Sequence, residues 1–126
     1  MNGIITLCGS TKFKEEFEYA NRELTLNNWI VLSIGTMMHK LEDLELKERV
    51  MKSKNQLDKL HKEKILMSDS ILVLNKDGYI GESTQSEINY AKKQNKTIFY
   101  LEPIPNLNHI SFALGFDVYT EENTNG

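Results

Sequence analysis

Short apolar runs alternate with helical stripes along this chain. Ile4-Ile5-Thr6-Leu7-Cys8 is apolar, rich in β-branched residues and bounded by Gly3 and Gly9, which predicts a strand buried on both faces. Phe13, Phe17, Ala20 and Leu24 then recur at helical spacing, with Lys14, Glu15, Glu18 and Arg22 on the opposite side. Asn27-Asn28 ends that helix, Trp29–Ile34 predicts a second strand, and Gly35 opens a loop to about Lys40. The charged segment Leu41–Ser68 predicts one long helix, or two broken near Ser53–Asn55. Ile71–Leu74 is the third strand, and Asn75–Glu82 is a glycine-bearing loop. A helix is expected from about Ser83 to Gln94 and a fourth strand over Thr97–Leu101, stopped by Pro103 and Pro105. A short helix or strand falls around Ile110–Val118, and residues 120–126 read as a frayed tail.

This alternation implies parallel βαβ units. The expected fold is α/β: a single domain over residues 1–126, built as a three-layer α/β/α sandwich of Rossmann or flavodoxin type. Its sheet would be mainly parallel, with 4–5 strands. Chemistry in such folds sits beyond the carboxyl ends of the strands.

Composition narrows the partners. With 15 basic and 18 acidic side chains, net charge −3, the chain lacks the cationic surplus that a nucleic-acid polymer requires. A single cysteine, Cys8, excludes an intrachain disulfide and a four-cysteine zinc site, and predicts a reduced, intracellular setting. No apolar run approaches the ~20 residues of a membrane span. The start Met1-Asn2-Gly3-Ile4 shows no basic region followed by an apolar stretch, so a cytoplasmic location is expected.

Three places could carry chemistry. Cys8-Gly9-Ser10-Thr11-Lys12 combines a glycine at a strand end, two hydroxyls, free amides at a helix start and a lysine, all suited to an anion. Equally, Ser10 or Thr11 would simply cap the helix. In the loop after the third strand, Thr84-x-x-Glu87 matches a capping box. Alternatively, Glu87 faces the sheet as a carboxylate kept ionised by the helix dipole, which is what attack at an anomeric carbon needs. His61 lies four residues from both Leu57 and Ile65, on the apolar side of its helix, either as a hydrogen-bonded core residue or as a proton carrier. His39 either lines the pocket or is solvated, and His109 has no context. Three scattered histidines give little support for a metal.

Taken together, Leu7–Phe13, Asp69–Asn75, and Gly78–Thr84 with Glu87-Ile88-Asn89-Tyr90-Ala91 resemble the nucleoside 2-deoxyribosyltransferase superfamily, in particular its small deoxyribosyltransferase-like branch from phages and Firmicutes. The likeness covers roughly Ile4 to Glu102. It implies that Glu87 attacks C1′ to form a glycosyl-enzyme, that Gly9-Ser10 contacts the sugar or a 5′-phosphate, and that Lys12 supplies a basic contact. It also implies that Ser83 and Ser86 lie in the loop closing over the sugar or phosphate. Two positions depart from the pattern: the family's second acid is His61 here, and the glycine two residues after the nucleophile is Asn89.

The expected activity is cleavage or transfer at the N-glycosidic bond of a (deoxy)nucleoside or nucleotide, with Glu87 as nucleophile and His61 or a water protonating the departing base. The alternative is a non-catalytic nucleotide-binding or sensing module on the same fold. The expected binding set is Gly9, Ser10, Thr11, Lys12, His39, Asn75, Tyr79, Gly81, Ser83 and Ser86, with Tyr79 stacking on the base. No metal, cofactor, nucleic-acid polymer or membrane is expected. A homodimer or higher homo-oligomer is, through Leu44, Val50, Met51 and Leu57 of the charged segment.

Overall fold

The computed structural model describes residues 1–35, 42–105, 107–110 and 112–121. Strand β1 (Gly3–Cys8) leads into helix α1 (Lys14–Leu26) and strand β2 (Trp29–Leu32). Helices α2 (Leu44–Lys52) and α3 (Lys54–Met67) precede β3 (Ser70–Val73). Helix α4 (Glu82–Lys93), β4 (Thr97–Tyr100), β5 (Leu107–Ile110) and β6 (Val118–Glu121) complete the order. The strands form one sheet in the order β2-β1-β3-β4-β6-β5.

The parallel core is as expected: β2, β1, β3 and β4 run in one direction, with Thr6 opposite Ile71 and Cys8 opposite Val73 across β1 and β3. The strand count is corrected. Six strands pair among the described residues, and β6 lies antiparallel to both β4 and β5. Residues 120 and 121, anticipated as part of a frayed tail, instead belong to β6: Thr120 donates to the Ile98 carbonyl, and the Glu121 carboxylate accepts from the Tyr100 hydroxyl and pairs with Lys92; residues 122–126 lie outside the described residues. The second strand stops at Leu32 rather than Ile34, and as a sheet edge it is only partly buried.

The sheet is apolar on both faces. Ile5, Leu7, Leu72 and Leu74 pack with Phe13, Phe17, Ala20 and Leu24, so the helical stripe read from the sequence is the face that α1 buries. On the opposite face Cys8, Ile71, Val73 and Ile98 pack with Ile65 of α3 and Ile88 and Ala91 of α4. Ser53 separates α2 from α3, the break expected near Ser53–Asn55, while the Asp43 side chain accepts from Leu46 N–H to cap α2. Val50 is buried inside the chain, which removes it from the expected intersubunit surface; Leu44 and Met51 are exposed. Among the described residues, no helix is long and apolar enough to cross a membrane.

Candidate active site

The chain leaves β1 through α1 toward β2, then returns past β1 to β3, so the connections diverge between the carboxyl ends of β1 and β3. That divergence opens the crevice where α/β sheets bind ligands. Three elements bring side chains together at this edge of the sheet. Cys8 ends β1, His61 comes from α3, and Glu87 comes from the second turn of α4. Cys8 Sγ lies 3.6 Å from His61 Nε2, and His61 Nε2 lies 3.5 Å from Glu87 Oε1. Cys8 and His61 are buried, and the Glu87 side chain is 13 % exposed.

Glu87 also lines a polar cleft of about 330 Å³ with Lys54, Asp58 and Lys62 of α3 and Glu82, Ser83 and Ser86 of α4. The carboxylate thus has one side against buried groups and the other toward solvent. His61 does not line the cleft and stands behind Glu87.

Burial dominates the electrostatics, because removing a charge from water favours the neutral form. It raises Glu87 from 4.5 to about 7; the Cys8 hydrogen bond and Lys62 pull the other way, and Asp58 adds to the rise. The expectation of a carboxylate held ionised by the helix dipole is corrected. Glu87 lies beyond the first turn, where that effect has faded, and desolvation wins. Burial lowers His61 from 6.5 to about 4 with help from Lys64, against a hydrogen bond to the Leu7 backbone and the charge of Asp58. His61 is therefore a neutral imidazole at pH 7. Burial also pushes the Cys8 thiol well above its usual range, and the nearby Glu87 reinforces this.

The capping-box alternative for Glu87 does not hold. Helix α4 begins at Glu82 with Gly81 as its N-cap, and Thr84 is a buried residue inside the first turn. Ser10 and Thr11 do not cap α1 either. Its N-cap is Phe13, and Ser10 Oγ instead accepts from Lys12 N–H at 3.3 Å within the preceding turn.

Of the expected binding residues, Ser83 and Ser86 share the cleft with Glu87. The others have different neighbours. A β-carbon at Gly9 would press on Leu74 Cβ at 3.1 Å and its carbonyl at 3.2 Å, so close packing against the end of β3 accounts for that glycine. Lys12 Nζ sits 3.5 Å from the Tyr79 ring centroid, and Tyr79 meets Phe13 edge-on, so the expected phosphate lysine and base-stacking tyrosine contact each other. Such a cation over a ring is mutually stabilising. Thr11 is half-buried, and Gly81 packs near the Tyr79 hydroxyl. His39 lies outside the described residues.

Asn75, wholly buried, is a latch. Its Nδ2 donates to the Glu102 carbonyl and its Oδ1 accepts from Glu102 N–H, both at 2.9 Å, while the Glu102 carboxylate accepts from Asp77 N–H. This ties the loop after β3 to the end of β4. Asn75→Ala leaves two backbone groups without their partner, and a loss of about 2–4 kcal/mol is expected. Urea unfolding checks this; an unchanged midpoint would refute the latch.

The sequence reading missed Cys8 and the cleft-facing Lys54, Asp58 and Lys62. The last three recur every four residues, a spacing that signals one helical face without saying what it faces. Models of known protein families give no match to this chain, and curated proteins give none either.

Proposed function

We propose that this protein cleaves or transfers the N-glycosidic bond of a (deoxy)nucleoside or nucleotide through Glu87, on a three-layer fold of flavodoxin type related to the nucleoside 2-deoxyribosyltransferases. The observation that carries this is the position of Glu87: buried against His61 on one side and open to a polar cleft on the other, at the carboxyl edge of the sheet. Lysines 54 and 62 and serines 83 and 86 in that cleft offer donors for sugar hydroxyls or a phosphate.

In the first half-reaction a Glu87 oxygen bonds to C1′ as the bond from C1′ to the base nitrogen breaks. The base leaves with a proton from water in the open cleft; neutral His61, behind Glu87, packs against the carboxylate and does not reach the base. In the second half-reaction another base, or water, attacks C1′, loses its proton to solvent and frees Glu87. Because only ionised Glu87 can attack, turnover by metal-free protein rises with pH through about 7 and then levels off.

The test supplies deoxynucleosides and their 5′-monophosphates with isotopically labelled free bases, and follows both exchange and hydrolysis. Turnover lost in Glu87→Gln, together with a glycosyl adduct on Glu87 in wild-type protein, supports the assignment. Undiminished turnover in that variant sinks it, and a ligand that stays bound and intact identifies a binding module instead. A homo-oligomer would use the exposed Leu44 and Met51 of α2.

A further inference from the structure

Cys8, His61 and Glu87 bring together a sulfur, an imidazole nitrogen and a carboxylate oxygen that all lie within 4.8 Å of one another. Bonds of about 2.3 Å to sulfur and about 2.05 Å to nitrogen and oxygen, at tetrahedral angles, require a sulfur–nitrogen edge of about 3.6 Å and a nitrogen–oxygen edge of about 3.3 Å. The edges found are 3.6 Å and 3.5 Å. We propose that these three side chains form a binding site for a thiophilic divalent cation of the Zn2+ class, with its fourth position directed to the cleft between α3 and α4.

Several features favour this donor set. A thiolate and a carboxylate carry two negative charges, so a divalent ion makes a neutral unit, suited to a site where Cys8 and His61 are buried. Sulfur and imidazole ligands select Zn2+-like ions over Ca2+ and Mg2+, which prefer oxygen. The His61 ring also bonds the Leu7 backbone, the kind of outer contact that holds a ligating histidine in place. Glu87 lines the cleft, so an ion can enter and a water or ligand can complete its coordination. On binding, the Cys8 S–H bond breaks, the thiolate bonds to the metal, and the proton leaves to solvent.

A cation on Glu87 draws charge from its carboxylate and weakens the attack on C1′, so the ion acts as an inhibitor that reports its own availability. This regulatory consequence rests on the proposed glycosidic function, whereas the metal site itself does not.

Full-length protein stripped with EDTA is titrated with Zn2+ by calorimetry and with Co2+ by absorption spectroscopy. One ion per chain is expected, with a thiolate charge-transfer band and the intense visible bands of four-coordinate Co2+. Cys8→Ser should abolish the charge-transfer band and weaken binding by at least about 100-fold, the upper end of what loss of an outer contact alone produces. Should that variant fail to fold, zinc X-ray absorption on wild-type protein must show one sulfur neighbour, and the isosteric Glu87→Gln must weaken binding. Absence of saturable binding, a Co2+ complex without a sulfur band, or unchanged affinity in folded Cys8→Ser would overturn the site. Because these readouts need no substrate, they separate failure of the metal site from failure of the glycosidic reading.

Discussion

Glu87→Gln is expected to abolish turnover and, at pH 8, to make the metal-free protein more stable. The two effects have one origin. Glu87 ionises near 4.5 in an unfolded chain but near 7 in the folded one, because burial penalises its charge. Below pH 4.5 both states hold the proton and there is no penalty. Between about 4.5 and 7 the unfolded state loses its proton first, so folding becomes progressively less favourable, and above 7 the loss is constant. The difference amounts to about 3 kcal/mol. Glutamine keeps the shape and does not ionise, so its advantage should be absent at pH 4 and full at pH 8, about 10 °C in unfolding midpoint for a domain of this size. Equal stability differences at the two pH values would contradict a buried, proton-holding Glu87. His61 carries the opposite sign: lowered from 6.5 to about 4, it withdraws stability as pH falls through that interval. His61→Gln should thus gain its relative stability on the acid side.

Gly115→Ala is expected to be among the most damaging single substitutions outside the site. Gly115 adopts φ +100°, a region that side chains rarely occupy, and an added β-carbon would overlap the Asn27 side-chain amide. Asn27 cannot easily move aside, because its Nδ2 donates to the Glu23 carbonyl at 2.7 Å to finish α1 and its own carbonyl accepts from Asn2. The turn also seats Leu114 and Phe116 in the core under α1. Left-handed strain of about 1–2 kcal/mol adds to the overlap, for a total of about 3 kcal/mol or more. A double-mutant cycle with Asn27→Ala separates the two contributions. Removing the amide should recover the steric part and leave the backbone strain, whereas strict additivity would show that the two residues do not meet.

What could be read from the sequence follows the range of the forces involved. Phe13, Phe17, Ala20 and Leu24 declare α1 because a stripe at helical spacing must be buried on one face, and β3 declares itself because all four residues are buried. The hairpin of β5 and β6 did not declare itself. Asn108, His109, Thr120 and Glu121 break the apolar pattern, and β6 is held by pairing with Phe99 and Tyr100, about twenty residues back in the chain. At the site, Glu87 and His61 stood out one by one. Their meeting with Cys8 is a product of topology: three elements far apart in sequence converge only after β3 inserts beside β1. Local spacing was also misleading at Thr84, where a capping motif lies inside a helix that has already begun at Glu82.

The burial of Cys8 has a practical consequence. The chain contains one thiol, and it sits at zero exposure in the centre of the sheet. An alkylating reagent can modify it only in molecules whose β1–β3 seam has parted from α3 and α4. The rate of labelling under native conditions therefore clocks the opening of the innermost part of the molecule, with no engineered probe. On the proposed function, comparing that clock with and without nucleotide measures how firmly an occupied cleft holds the seam shut.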